Sequence, residues 1–229
     1  MYMPFEAFPF AGRFISVIGS GGKTTLLRVL SERLPGTVIL TTSTHIYPFP
    51  GMPLVDTAGS EREAALRQLR AALGEHRVVC LGKGEASGKL SAPCDVLPFE
   101  ALLSEADHIV AEADGAAGRP LKAHRPWEPV IPGCSDLTLC VVGASGLGQP
   151  IAAAAHCPER FAALAGVSID AQVEERHIAA VLNREALADH YLVNQVDALR
   201  DPSRARRLCE LIQADASLCA LRNAIQGHW

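Results

Sequence analysis

The sequence lacks several features that would place it in familiar classes of protein. None of its apolar runs approaches the ~20 residues that a membrane-spanning helix needs, so a membrane protein is not expected. Its formal net charge is −4, which argues against non-specific nucleic-acid binding because such binding needs a basic surface. Residues 1–6 show no basic segment followed by an apolar core, so no secretory signal is expected. These absences predict a soluble cytoplasmic protein without nucleic-acid or membrane partners.

The cysteines do not form a recognisable pattern either. There are 7 of them, an odd number, and no two stand in a Cys-x-x-Cys pair. Neither a disulfide framework nor a thiolate zinc site is therefore predicted.

The chain has 229 residues, of which 48% are hydrophobic, and it is long enough to bury a full core. No repeat or low-complexity tract interrupts it, so one domain over residues 1–229 is the simplest organisation.

A glycine-rich segment near the start of the chain is its most informative feature. The β-branched run at residues 14–18 predicts a buried strand, and the apolar spacing at 26–34 predicts one face of a helix. Glycines allow successive N–H groups to close around an anion, a lysine adds positive charge, and the hydroxyl that follows can reach magnesium. The segment therefore predicts a loop that binds nucleotide phosphates. Its residues are Gly19, Ser20, Gly21, Gly22, Lys23, Thr24 and Thr25.

This loop is shorter than the common form, which has four residues between its first glycine and the Gly-Lys pair. The compact Gly-x-x-Gly-Lys-Thr-Thr resembles the phosphate loop of Mur-type amino-acid ligases. Its paired threonines resemble those of GTPases and ATPases that mature metal centres.

Strands and helices alternate along the rest of the chain. Strands are predicted at 37–42, 77–81, 108–113, 137–142, 190–193 and 217–221, and helices at 61–73, 99–105, 174–183 and 202–213. An alanine-rich helical region covers about residues 149–189. This alternation predicts an α/β fold, a mostly parallel P-loop NTPase-type sheet covered by helices on both faces. Ligands of such sheets bind beyond the carboxyl ends of the strands.

Two acidic residues close the strand predicted at 108–113. Glu112 and Asp114 are two positions apart, so both carboxylates are expected on the face that meets the phosphate loop. A hydrophobic strand ending in an acid is typical of a Walker-B strand, whose acid holds magnesium directly or through water. Either acid, together with Thr24, is a candidate magnesium ligand, and Asp114 is slightly favoured.

The loop after these acids concentrates positive charge. Rigid cations beside a phosphate site can bind an anionic substrate or stabilise charge that develops on a transferred phosphoryl group. A solvated basic loop is an equally weighted alternative. The basic residues, braced by prolines, are Arg119, Lys122, His124 and Arg125.

Asn194 and Asp197 follow the sixth strand, at the position where GTPases carry an Asn/Thr-Lys-x-Asp motif. One aspartate can accept from both the ring N–H and the exocyclic amine of guanine, and adenine offers no such pair of donors. The motif therefore favours guanine. Gln195 stands where the motif usually has lysine, so GTP and ATP both stay open.

Two further loops follow predicted strands. The hydroxyls of residues 41–45 can contact magnesium or substrate, or they can cap turns. Residues 82–90 look like a second phosphate loop, but no helical face follows Lys89, and we interpret them as a flap over the site.

Several of these segments together resemble the YqeC family. The likeness runs from about Phe14 to about Asp197, and its most specific part is 112–124. Members are described as accessory proteins for selenium-dependent molybdenum hydroxylases, or as selenium cofactor biosynthesis proteins. The phosphate loop and the acids predict a Mg²⁺-dependent nucleotidase, and the resemblance implies that it acts in selenium or molybdenum cofactor maturation, with such a hydroxylase or its cofactor as partner. The segments are 19–25, 41–45, 112–115, 119–124 and 194–197.

Two other functions stay open. The compact loop favours an ATP-dependent Mur-ligase-like ligase or a small-molecule kinase. A nucleotide-switched chaperone with little turnover of its own is the third candidate.

Overall fold

The structure is a computed structural model that describes residues 12–224. The segment at residues 1–6, where no secretory signal is expected, lies outside the described residues. Within residues 12–224, none of the helices combines the length and the apolar character that crossing a bilayer requires.

Most strands belong to one large sheet. They are β1 (Phe14–Gly19), β2 (Val38–Thr42), β3 (His45–Ile46), β4 (Leu54–Asp56), β5 (Val78–Gly84), β6 (Leu90–Ser91), β7 (His108–Glu112), β8 (Leu121–Lys122), β9 (Leu137–Gly143), β10 (Ala155–His156), β11 (His190–Asn194) and β12 (Asp215–Leu218). The helices are α1 (Lys23–Arg33), α2 (Arg62–Glu75), α3 (Phe99–Leu102), α4 (Ile151–Ala154), α5 (Pro158–Ala165), α6 (Glu175–Glu185) and α7 (Ser203–Leu211).

The order of the strands places β1 at the centre. The sheet runs β12-β11-β9-β1-β7-β2-β5-β6-β3, with β4 also paired to β5. Neighbours from β12 to β5 are parallel, whereas β6 is antiparallel to both β5 and β3. The short strands β8 and β10 form a separate parallel pair. The predicted α/β fold with a mostly parallel sheet is confirmed.

Alternate residues of β1 point to opposite faces, and both faces are covered. Ile15 and Val17 pack against α1 in one buried cluster. Ile18 faces the other side, where α5, α6 and α7 pack, and α2 and α3 cover the rest of that side. Burying one such aliphatic side chain stabilises the fold by about 1.5–3 kcal/mol. The strand that precedes the phosphate loop is therefore held firmly on both faces.

The structure differs from the sequence-based expectation in several short elements. The predicted helix at 99–105 is a single turn, α3, and the alanine-rich region divides into α4, α5 and α6. The last strand, β12, ends at Leu218, and Leu221–Ala224 form a 3-10 turn. Residues 82–90 belong partly to β5 and β6, so much of the expected flap is an antiparallel hairpin.

Candidate functional site

A cavity of about 720 Å³ opens at the carboxyl ends of the central strands. It is bounded by the phosphate loop and the first turn of α1, by β3 and Tyr47, by the segments after β7, β9 and β11, and by the turn between β5 and β6. This is the edge at which ligands of parallel sheets bind. The residues of the predicted loop that line it are Gly21, Gly22, Lys23, Thr24 and Thr25, whereas Gly19 and Ser20 lie beneath it.

The backbone of the phosphate loop requires glycine. Gly21 and Gly22 have φ of +81° and +141°. A Cβ on Gly21 would lie 2.5 Å from the Cα of Gly143, and a Cβ on Gly22 would lie 2.4 Å from Nδ2 of Asn194. Side chains are thus excluded both by conformation and by space. Because α1 begins at Lys23, its free N–H groups and the positive end of its dipole face the same loop.

Lys23 is folded over this loop and meets two acids. Its side chain is only 6% exposed, and Nζ donates to the carbonyl of Gly19 at 2.8 Å. Nζ also lies 3.0 Å from Oδ1 of Asp114 and 3.8 Å from Oε1 of Glu112. The ammonium group therefore stands at the floor of the cavity, next to the N–H groups of the loop.

Asp114 is fully buried and does not line the cavity. Its Oδ2 accepts from the backbone N–H of Gly19 at 2.9 Å and from Nε2 of His124 at 2.8 Å, and it lies 3.3 Å from Nζ of Lys122. Burial on its own raises the pKa of Asp114, but the hydrogen bond from His124 and the charges of Lys23 and Lys122 lower it to about 2. The carboxylate is thus ionised and held by protein groups.

Glu112 is the acid that reaches the cavity. Burial and the negative charge of Asp114 raise the pKa of Glu112 to about 7, and Lys23 opposes this shift. Thr24 is exposed in the first turn of α1 and lines the same cavity. No group of three or more His, Cys, Asp or Glu side chains suited to a metal occurs in residues 12–224. Mg²⁺ retains several waters and needs few protein oxygens, so Thr24 and Glu112 fit it better than Asp114 does.

The four basic residues after β7 have different positions. Only Arg119 lines the cavity, and its guanidinium donates to the carbonyl of Ala153. Lys122 and His124 are buried beneath the loop, where they meet Asp114. Arg125 is exposed outside the cavity lining, with its guanidinium 5.9 Å from the centre of the Trp127 ring. The structure therefore does not bring these four side chains together around one ligand.

A buried chain of hydrogen bonds connects α6 to the phosphate loop. Glu185, the last residue of α6, accepts from the backbone N–H of His124 at 2.7 Å and faces its Nδ1 at 2.8 Å. The other ring nitrogen of His124 faces Asp114, which in turn accepts from Gly19. Burial lowers the pKa of His124, but the hydrogen bonds to Asp114 and Glu185 raise it above the ordinary value. No motif marks Glu185 in the sequence, because its partner lies 61 residues away.

The end of β11 and the turn after it contribute two polar residues, Asn194 with a structural role and Asp197 at the surface. Nδ2 of Asn194 donates to the carbonyl of Gly21 at 2.9 Å, and its Oδ1 accepts from the N–H of Leu221 at 2.9 Å. Asn194 thus ties β11 to the phosphate loop and to the C-terminal turn. Asp197 lies in the short 3-10 turn Val196–Ala198, is exposed, and lines the cavity.

Comparison with known proteins assigns the family. Residues 15–159 match the YqeC family, described as YqeC protein, and this range includes the phosphate loop, Glu112 and Asp114. A curated relative, "Uncharacterized protein YqeC" of Escherichia coli (strain K12), is 33% identical over 175 residues. That alignment covers 73% of this chain and 66% of the relative, slightly less than two thirds of the relative's length. The chain belongs to the YqeC family.

Proposed function

We propose that this protein is a Mg²⁺-dependent P-loop nucleotide-binding protein that hydrolyses or transfers the terminal phosphate of GTP or ATP. One observation carries the proposal: Lys23, Thr24 and Glu112 meet at one cavity, where α1 begins. Phosphoryl transfer needs mainly positioning and positive charge around the phosphates, because the transition state spreads negative charge over the phosphate oxygens.

In this proposal the phosphate loop and the residues near it have separate roles. The N–H groups of the glycine loop and the start of α1 bind the β- and γ-phosphates, and Lys23 turns from its acids towards them. Thr24 and Glu112 hold magnesium, which when bound neutralises charge shared by these phosphates. Asp114 fixes the loop from beneath through Gly19 and orients Lys23. Arg119 is the cation of the following loop that remains near the phosphates.

The exposed carboxylate of Asp197 favours guanine as the base. Asn194 is already engaged with Gly21 and Leu221, so it shapes the base end of the cavity instead of reading the base. Oε1 of Gln195 accepts from Oγ of Ser145 at 2.5 Å, which orients its side chain. The pathway, maturation of a selenium or molybdenum cofactor for a selenium-dependent hydroxylase, rests on the family resemblance alone.

Calorimetry with GTP and ATP, each with and without Mg²⁺, tests this proposal. We expect GTP to bind more tightly than ATP and both to weaken without Mg²⁺. Lys23→Ala should reduce nucleotide affinity at least 100-fold, because it removes the ammonium that contacts the phosphates. Lys83→Ala is the matched control, since Lys83 pairs with Asp95 away from the cavity. Equal nucleotide binding by the Lys23→Ala and Lys83→Ala variants refutes the assignment of the loop.

Transfer to an acceptor is a second candidate, and one observation favours it. The cavity continues past the phosphate loop to His45, Tyr47 and Lys89, on the side away from Asp197. Simple hydrolysis requires only water at that position. A kinase or ligase predicts nucleotide turnover that depends on a second substrate.

A further inference from the structure

We propose that the end of the cavity away from Asp197 binds a second ligand, a small oxyanion such as a carboxylate or phosphate group, next to the terminal phosphate of the nucleotide. The residues that form this acceptor end are His45, Tyr47 and Lys89. The inference rests on the proposed function and deepens it, because it names the chemistry of the second substrate.

The strand order separates the acceptor end from the base. Asp197 follows β11, which lies two strands from β1, about 10 Å away at the usual spacing of strands. Lys89 lies on the other side of β1, in the turn between β5 and β6, and β5 is about 14 Å from β1. A nucleotide whose base contacts Asp197 and whose phosphates lie over β1 therefore leaves the acceptor end open.

The charges at this end suit an anion. Nζ of Lys89 lies 5.2 Å from the centre of the Tyr47 ring, and the structure gives Lys89 no ion pair among residues 12–224. Lys83, in the same hairpin, is instead neutralised by Asp95 at 2.5 Å. A partly buried ammonium with an aromatic ring but without a carboxylate is a binding group for an oxyanion.

The neighbouring side chains restrict the size and orientation of the ligand. Tyr47 is 64% exposed, so a ligand can also cover apolar surface there. Nε2 of His45 lies 3.1 Å from Oε1 of Glu85, and this contact orients the imidazole at the cavity edge. The backbone of β3 and its pairing with β6 fix His45 relative to Lys89. These side chains form one wall of the cavity at its acceptor end.

Anion titration of the nucleotide-loaded protein tests this inference. The protein is saturated with Mg²⁺ and a non-hydrolysable analogue of GTP, or of ATP, so that the phosphate loop is filled. Inorganic phosphate and acetate are then titrated separately, and the His45 imidazole signals are followed by NMR. We expect saturable binding of at least one anion in the wild-type protein. Lys89→Ala should weaken it at least tenfold, whereas Lys89→Arg and the control Lys83→Ala should retain it.

The outcomes separate this inference from the proposed function. Failure of the wild-type protein to bind either nucleotide analogue refutes the proposed function. Nucleotide binding without saturable phosphate or acetate binding overturns only the acceptor end. Equal anion binding by the Lys89→Ala and Lys83→Ala variants also overturns only the acceptor end. A preference for phosphate or for acetate supports the site and identifies which oxyanion the second substrate carries.

Discussion

Replacement of Glu185 tests the buried connection between α6 and the phosphate loop. Glu185→Ala removes the acceptors for two donors of His124, its backbone N–H at 2.7 Å and its Nδ1 at 2.8 Å. It also leaves a buried imidazolium beside Asp114 with one carboxylate fewer. Removal of one partner from a buried ion pair costs about 3–5 kcal/mol. We expect the free energy of unfolding to fall by that amount.

Glu185→Gln should lower the free energy of unfolding less than Glu185→Ala does, because the amide can keep both contacts with His124. The amide oxygen can still accept from the backbone N–H of His124, and the amide NH₂ can donate to Nδ1 of a neutral ring. The other ring nitrogen then keeps its proton and still donates to Asp114. Both charge-assisted hydrogen bonds of Glu185 become neutral ones, a difference of about 1 kcal/mol each.

Urea unfolding followed by circular dichroism, in buffer with EDTA, measures these changes. Glu210→Ala and Glu210→Gln are matched controls, because Glu210 is exposed on α7 and surface changes stay within about 0.5 kcal/mol. If Glu185→Ala and Glu185→Gln lower stability equally, or neither differs from its control, His124 is not held between two carboxylates and the reasoning fails.

The pH profile of the same variants gives a second measurement. The pKa of His124 is raised in the folded protein, so its contribution is present below the ordinary value of 6.5 and is lost as pH rises through the folded pKa. The pKa of Asp114 is lowered to about 2, so its contribution is present above 3.8 and is lost as pH falls towards 2. Glu185→Gln should reduce the loss of stability that His124 causes as pH rises. It should leave unchanged the loss of stability that Asp114 causes as pH falls.

Three further substitutions test the cavity itself. Asp197→Asn should lower GTP affinity at least tenfold and raise xanthosine triphosphate affinity, because an amide N–H can donate to the carbonyl that xanthine carries; unchanged GTP affinity in calorimetry contradicts this role. Glu112→Gln should weaken Mg²⁺ binding to the nucleotide-loaded protein at least tenfold in a metal titration, with unfolding free energy within about 1 kcal/mol of wild type because a buried amide needs no counter-charge. A larger loss of Mg²⁺ affinity in Asp114→Asn than in Glu112→Gln reverses the assignment of the metal ligand. Arg119→Ala should lower the rate of nucleotide turnover, and Arg125→Ala should not; equal rates in the two variants remove Arg119 from the site.

The main strands were predictable because buried parallel strands carry a local signal, a run of β-branched and apolar residues bounded by turns. The same is true of the phosphate loop, whose glycines and Lys23 are contiguous. The short strands β3, β4, β6, β8 and β10 have only two or three residues each, and their pairing depends on distant partners. No local periodicity can mark an element of that length.

The difference between Glu112 and Asp114 could not be predicted, and the reason is geometric. Alternation of side chains places positions two apart on one face only while the strand continues. Because β7 ends at Glu112, Asp114 lies beyond it, where the chain turns beneath the phosphate loop. Lys122 and His124 follow it there, so charge patterning alone indicates a basic loop but cannot indicate a buried one. Glu185, on α6, also contacts His124, and no sequence pattern relates this helix to the phosphate loop.

The central position of β1 has a consequence for synthesis on the ribosome. Its two neighbours are made long after it, since Gly19 contacts Asp114 across 95 residues and Phe14 contacts Asp136 across 122. At about 5–20 residues per second, the emerging segment waits roughly 6–25 s before both flanking strands exist. During this interval its apolar side chains are unshielded, and nascent chains truncated before β9 should need chaperones to stay out of aggregates.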